Sequence, residues 1–198
     1  MKPVHWVGSS REDLKSFPTE VKRDIGFALD TAQRGDKHPS AKPLQGFGGA
    51  SVLEIVENHD GDTYRSAFEE SPRGLRAMAK SSKTITNEEV SVTHGSGNVF
   101  ADLGFADAEE LQVKAGLTHQ ISNRIKALGL TQIQAGERLG IGQPDVSKLM
   151  HGRYTGYSTD RLIALLNALD VDVEIVVRPR SENESPRRGS VRVMEAVA

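Results

Sequence analysis

Along the N-terminal third, apolar residues come in short β-type runs around one long helical stretch, whereas beyond residue 99 they repeat with a helical period. The opening run VHWV predicts a strand. Helix is expected from about Ser10 to Gln33, broken at Pro18, with a second helix starting at Thr19 and Glu20 and carrying Val21, Ile25, Phe27 and Leu29 at roughly helical spacing. The stretch RGDKHPSAKPLQGFGGAS, residues 34–51, is too rich in glycine and proline for a regular element and reads as a loop. In SVLEIVE, residues 51–57, Val52, Leu53, Ile55 and Val56 favour a strand; HDGD at 59–62 signals a turn, and TYRSAF begins a returning strand.

After Phe68 the pattern thins. Residues 69–98 hold few large apolar side chains and no sustained period, so they are expected to be mostly linker, with short structured pieces near 75–80 and 90–92. A second ordered unit starts near Val99. There Asp107 and Glu110 have the spacing of an N-cap and its capping box, and Leu111, Ala115, Thr118, Ile121, Ile125 and Leu128 fall on one helical face that stops at Gly129. Thr131 and Gln134 form a second capping box, a short helix is expected over 143–150, and a further one opens at Ser158 with Leu162, Leu165, Leu166 and Leu169 inward. VDVEIVV, residues 171–177, alternates apolar and acidic positions and predicts a half-buried strand. The division expected is therefore an α+β segment over 1–68, a linker over 69–98, a helical domain ending in a strand over 99–178, and a disordered basic tail over 179–198.

Charge and composition narrow the chemistry. The 25 Lys+Arg against 27 Asp+Glu give a net charge of -2, so no overall polycation points to nucleic acid. Cysteine is absent, which removes disulfides, thiolate nucleophiles and cysteine-based zinc sites together. No run approaches the roughly 18 apolar residues of a membrane span, and MKPVHWVGSS lacks the pattern of a secretory signal, so a cytoplasmic protein without membrane partners is expected. His5, His38 and His59 are dispersed without metal-ligand spacing, and no cofactor is expected. Locally the balance differs: between His119 and Leu165, Arg124, Lys126, Arg138, Lys148, Arg153 and Arg161 outnumber Glu137, Asp145 and Asp160, and arginines outnumber glutamates in the tail. Binding of such regions to a polyanion would weaken steeply with salt.

The segment QIQAGERLGIGQPDVSKLMH, residues 132–151, sets two short helices around a Gly-Ile-Gly turn. Two helices crossing steeply need small residues at the crossing, here Ala135 and Gly136; Gly140 suits the positive φ of the turn, and Ile141 plugs it. With Val146, Leu149 and Met150 inward, the second helix presents Pro144, Ser147 and Lys148, with Gln143 at its start. Glutamine can pair in a bidentate manner with adenine in the major groove, and serine and lysine reach base edges or phosphates. Asp145 suits the helix dipole but opposes phosphates unless it accepts from a cytosine amino group. A helical bundle that never meets DNA could share this pattern; the two capping boxes, the small residues at the crossing and the apolar register favour the DNA reading.

These residues resemble the helix-turn-helix of the Cro/C1 (XRE) family, a lambda-repressor-like fold, over about residues 109–170. The resemblance implies base recognition by Gln143, Pro144, Ser147 and Lys148, with phosphate contacts near Gln132 and at Arg153, Thr155 and Tyr157. The wider stretches GNVFADLGFADAEELQVKAGL and DVEIVVRPR resemble HigA-like antitoxins of toxin–antitoxin operons. KPLQGFGGASVLEIVENHDGDTYR resembles phage-derived HigB-like toxins of the RelE superfamily, which cut messenger RNA on the ribosome. In that family the pattern continues past TYRSAF through two more strands and a closing helix. This chain instead has EESPRGLRAMAK, with Glu69 and Glu70 where basic residues belong and only Lys42, Arg65 and Arg73 as candidates for phosphate chemistry.

The resemblance thus implies a truncated remnant of a RelE-like fold, not an enzyme, ahead of an antitoxin-type regulator that represses its own promoter as a homodimer on double-stranded DNA, a cognate toxin being a possible partner. The alternative is a toxin–antitoxin fusion with messenger RNA interferase activity in its N-terminal part. For the strand at 171–177, pairing with a two-fold mate and pairing within the chain near Val90 to Val92 stand side by side.

Overall fold

Proline at position 18 separates α1 (Ser10–Lys15) from α2 (Thr19–Gln33), taking extended backbone, φ -52 and ψ 146, at the N-cap of α2. The computed structural model describes residues 1–44, 52–71, 74–79, 91–179 and 190–194. The chain divides into two compact units, Met1–Ala108 and Glu109–Ala198. No helix among the described residues is long and apolar enough to cross a membrane.

In the first unit β1 (Val4–Val7), β2 (Lys42–Pro43), β3 (Val52–His59), β4 (Asp62–Ser71), β5 (Gly74–Ala79) and β6 (Val92–His94) form a six-stranded sheet in the order β2-β3-β4-β5-β1-β6. The β3–β4 hairpin turns at Asp60 and Gly61, both at positive φ (50° and 87°), the geometry that matches the twist of a two-residue hairpin loop. Helix α2 lays Val21, Ile25 and Leu29 against β3, and Trp6, Leu14, Phe68 and Leu75 are buried with them. A last short helix, α3 (Val99–Asp102), capped by the Asn98 side chain, also packs on α2.

This differs from the expected remnant in three ways. First, the α+β unit does not stop at residue 68: β4 runs to Ser71, and β5 occupies part of the stretch expected to be linker. Strand β5 pairs antiparallel with β4 and parallel with β1, Val4 opposite Leu75, so it sits inside the sheet. Its sequence GLRAMA lacks β-branched and aromatic residues, and only its neighbours make it a strand, through burial of Leu75 and Ala77. Second, β6 at 92–94 overlaps the short structured piece expected near 90–92, but as a sheet strand beside β1 and not as part of a linker. Third, the loop over 34–51 contains β2, paired with β3 at Lys42 and Pro43. Residues 45–51, Arg73 and the linker positions 80–90, Val90 included, lie outside the described residues.

The second unit consists of α4 (Ala108–Ala127), α5 (Gln132–Leu139), α6 (Gln143–Met150) and α7 (Thr159–Ala168). The expected inward face of α4 is buried at Leu111, Ala115, Thr118, Ile121 and Ile125, and Leu162, Leu165, Leu166 and Leu169 are buried at the α7 end. Each such leucine contributes about 1.5–3 kcal/mol by leaving water. At the end of α4 and the starts of α5 and α7 the geometry is as expected: Thr131 and Gln134 make a reciprocal capping box, Gly129 takes φ 64, and the Ser158 hydroxyl accepts from the Arg161 N–H at 3.2 Å.

The strand expected over 171–177 is not there. These residues form no helix or strand, and Ile175, Val176 and Val177 are 79%, 80% and 90% exposed. An alternating segment buries one face only when a sheet receives it, and every regular element of this unit is a helix. Neither of the two pairings expected for this segment can be read from it, since residues 171–177 are not a strand, and Val90 lies outside the described residues. Of the tail, residues 180–189 and 195–198 lie outside the described residues.

Candidate nucleic-acid interface

Helix α6 is aimed by the backbone that precedes it. A Cβ at Gly136 would stand 2.7 Å from the Ile141 carbonyl oxygen, so only glycine lets α5 pass the turn this closely. Gly140 ends α5 in the left-handed region at φ 66, and the Ile141 N–H donates to the Gly136 carbonyl at 3.1 Å. Val146 and Leu149 are buried, which fixes the rotation of α6 about its axis. That rotation leaves Gln143, Pro144 and Lys148 exposed and Ser147 half-buried; Met150, expected inward, is half-buried. Pro144 stands in the first turn, where its missing N–H has no helical partner to lose.

Gln132 and Gln143 meet. The Gln143 side-chain amide donates to Gln132 Oε1, joining the start of α5 to the start of α6. One N–H and the carbonyl oxygen of Gln143 stay available, the pair that a bidentate contact with adenine requires. Asp145 accepts from Lys148 Nζ at 3.0 Å. An exposed pair of this kind is worth only about 0.2–1 kcal/mol, so a phosphate can draw the lysine away at little cost.

The loop after α6 holds Arg153 and Thr155, both exposed, and half-buried Tyr157. Burial, followed by the nearby Asp145 carboxylate, pushes the Tyr157 hydroxyl above the usual tyrosine range, so it stays a neutral donor. What holds this loop was missed in the sequence: Tyr154 is buried, and its hydroxyl donates to the Leu111 carbonyl of α4 at 3.3 Å. An aromatic between Gly152 and Gly156, both at positive φ, was the available signal.

Two of the basic residues behind the local positive balance face a different task. Arg124 Nε donates to the Leu169 carbonyl at 3.0 Å, and Arg138 Nε to the Ala168 carbonyl at 2.9 Å, with Arg138 also paired to Asp170. Both cations cap the C-terminus of α7, where the helix dipole favours positive charge. The sequence also gave no hint of Ile133, which is 64% exposed and lines a shallow concavity with Thr131, Gln132 and Gln143. It lies off the inward register of Ala135 and Leu139, and that offset is readable only once the register is known.

Of the candidates for phosphate chemistry in the first unit, two flank Glu54, since Lys42 stands opposite it in the β2–β3 register and Arg65 reaches it from β4. Lys42 is exposed on the edge strand β2, Arg65 pairs with Glu54 at 3.0 Å, and Arg73 lies outside the described residues. His5, His38 and His59 have separate surroundings: His5 packs its ring on His94, His38 on Phe27, and His59 sits near Glu20 and Asp60. No metal-binding cluster occurs among the described residues.

Comparison with known proteins divides the chain in the same sense. Residues 99–178 match the family described as Helix-turn-helix domain, and residues 12–92 the family described as Phage derived protein Gp49-like (DUF891). A solved structure described as a "Putative XRE Family Transcriptional Regulator" is 42% identical, covering 46% of this chain and 99% of that one, at a TM-score of 0.41. No curated protein matches the chain.

Proposed function

Since the chain belongs to the XRE family of helix-turn-helix regulators through its C-terminal half, we propose that it is a sequence-specific repressor that reads duplex DNA with α6 and acts on its own promoter as a homodimer. The observation that carries this reading is the Gln132–Gln143 amide pair at the head of a helix whose other face is locked by Val146 and Leu149. Gln143 takes an adenine edge, Pro144 and Ser147 flank it in the groove, and Lys148 exchanges Asp145 for a phosphate. Gln132 braces Gln143 and reaches the backbone, and Arg153, Thr155 and the neutral Tyr157 hydroxyl position the loop on the sugar-phosphate strand. Exposed Ile133 adds an apolar contact of the kind that fits a thymine methyl.

Half-sites about 34–36 Å apart require two copies of α6 related by a two-fold axis. Residues 171–177 support this part of the reading, since three consecutive β-branched side chains stand in solvent at Ile175, Val176 and Val177 and gain burial by pairing with a mate. A ribonuclease reading of the first unit has no specific observation in its favour, because the Glu54 carboxylate engages Arg65 and faces Lys42 in the register, where a phosphate would have to bind.

The test is a salt titration of binding to duplex DNA from the protein's own promoter, comparing wild type with the Gln143→Ala, Ser147→Ala, Lys148→Ala triple variant. Sequence-specific binding that weakens with salt and is lost in the variant is expected. Absence of binding to any duplex at low salt overturns the proposal.

A further inference from the structure

The helix-turn-helix match begins at Val99, yet Val99 to Ala108 pack in the first unit. The residues that travel with the DNA-binding domain are thus not all folded with it. We propose that the first unit is a peptide receptor, and that its ligand is the segment 91–105 at the head of the helix-turn-helix domain, delivered here in cis.

Every part of that segment has a prepared seat. Strand β6 extends the sheet beside β1, with Gly8 N–H donating to the Ser91 carbonyl and Gly95 N–H to the Val4 carbonyl, both at 2.8 Å. Helix α2 carries a notch at Gly26. A Cβ there would lie 2.9 Å from Phe100 Cε1 and 3.4 Å from Leu103 Cδ1, so the missing side chain is what admits both. Val99, Phe100 and Leu103 are buried in consequence. Polar groups are matched as closely as apolar ones. Trp6 Nε1 donates to Asp102 Oδ2 at 3.1 Å in a buried bond, and Arg11 Nε donates to the Asp102 carbonyl at 3.0 Å. Phe105 lies beneath Lys22, whose ammonium is 5.3 Å from the ring centre.

This is the strand-addition mode of peptide recognition, in which main-chain bonds add a strand to a sheet edge and pockets select side chains. The selected pattern is a short strand followed by Phe-x-Asp-Leu-x-Phe, here Phe100, Asp102, Leu103 and Phe105. Asp102 sets the specificity. Buried opposite an indole N–H, it rejects an apolar replacement by leaving that donor unpaired. Apart from the Asn98 amide, which donates to the Ala108 carbonyl at 3.1 Å, the contacts named above are made to the seat, so covalent linkage is not needed to hold the segment. A second helix-turn-helix chain with the same head fits the same seat. The proposal is independent of whether α6 reads DNA.

Trp6 is the single tryptophan of the chain, so its emission reports on this seat. A protease recognition sequence placed between Ser82 and Lys83 of the full chain allows it to be folded first and cut afterwards. The two pieces are expected to stay together through gel filtration with Trp6 emission unchanged; wild-type pieces that separate on cutting overturn the proposal. Excess synthetic peptide spanning residues 89–108 is then expected to displace the helix-turn-helix piece while Trp6 stays blue-shifted, and the same peptide with Phe100→Ala to need on the order of a hundredfold more. Pieces that the wild-type peptide cannot part are held by something other than this seat, which also overturns it. The peptide comparison leaves the folded chain unaltered, so loss of folding cannot imitate either result.

Discussion

The α5–α6 crossing and the β5 strand are both short, and both are indispensable to their units, but they are specified in opposite ways. The crossing is written locally. Thr131 and Gln134 cap α5, Gly140 ends it, Gly136 makes room for the turn, and all four lie within ten residues of each other. Strand β5 is written at a distance. GLRAMA becomes a strand because β4 and β1, the latter some 70 residues earlier in the chain, offer it two edges and a place for Leu75. Local codes survive transplantation and are visible in one pass along a sequence; distant ones depend on the whole sheet.

The sharpest way to break this contrast is to attack β5 itself. Leu75→Ala removes a fully buried side chain between β1 and the helices, and is expected to destabilise the first unit by about 2–5 kcal/mol. Denaturant unfolding followed by Trp6 emission measures it. A change within about 0.5 kcal/mol, typical of surface sites, would mean that 74–79 is linker after all.

Gly136→Ala is expected to cost the second unit about 1–3 kcal/mol, since the new Cβ meets the backbone oxygen of Ile141, which cannot rotate away. Helix melting by circular dichroism should show it while Trp6 emission holds. An unchanged helical transition would remove the steric argument for the crossing.

Those two positions also explain what could be read in advance. The helices of the second unit were legible because α4, α5 and α7 carry a cap or stop, at Gly129, at Thr131 and Gly140, and at Ser158, while Pro144 marks the first turn of α6. The exposed face of α6 was legible from its register, since the inward positions of Val146 and Leu149 leave Gln143, Pro144 and Lys148 outside. The amide bridge between Gln132 and Gln143 was not, because it spans the turn and depends on the crossing angle. Tyr154 was missed for a similar reason, its partner Leu111 being 43 positions away. In the first unit the hairpin announced itself through Asp60 and Gly61, β5 and β6 showed only as short structured pieces near 75–80 and 90–92 without a place in the sheet, and α3 did not show at all. Strands β5 and β6 are placed by pairing with β1, and α3 by packing on α2, so composition alone made this stretch resemble a linker. The segment 171–177 errs the other way. Its alternation is real, but the chain supplies no sheet to receive it.

Within the interface the contrast can be sharpened by pairing two glutamines of one type. Gln143→Ala is expected to weaken binding to the preferred operator by about 1–3 kcal/mol and to relax preference at one base pair. Gln132→Ala should cost less and keep the base preference, since it removes a brace and not the reader. Competition binding against operators altered one base pair at a time distinguishes the two, and equal loss on every sequence for both variants would make Gln143 a backbone contact.

The smallest effect concerns Tyr157, whose hydroxyl is raised above the usual tyrosine range first by burial and then by Asp145. Folding therefore favours the protonated hydroxyl. An unfolded tyrosine ionises at about pH 10, so the contribution is fully present below that pH and is lost as the pH rises through the higher folded value. Between pH 7 and 9 the stability difference between wild type and Tyr157→Phe is expected to be flat, and above about pH 10 wild type should fall relative to the variant. Lysines ionise in the same range but are shared by both proteins and cancel in the difference. A wild type that instead gains on the variant as the pH passes this range would mean that the folded protein holds the phenolate, which Asp145 opposes. The same neutral hydroxyl is the form able to donate to a phosphate oxygen. Its removal should weaken operator binding by about 0.5–1.5 kcal/mol, uniformly across sequences.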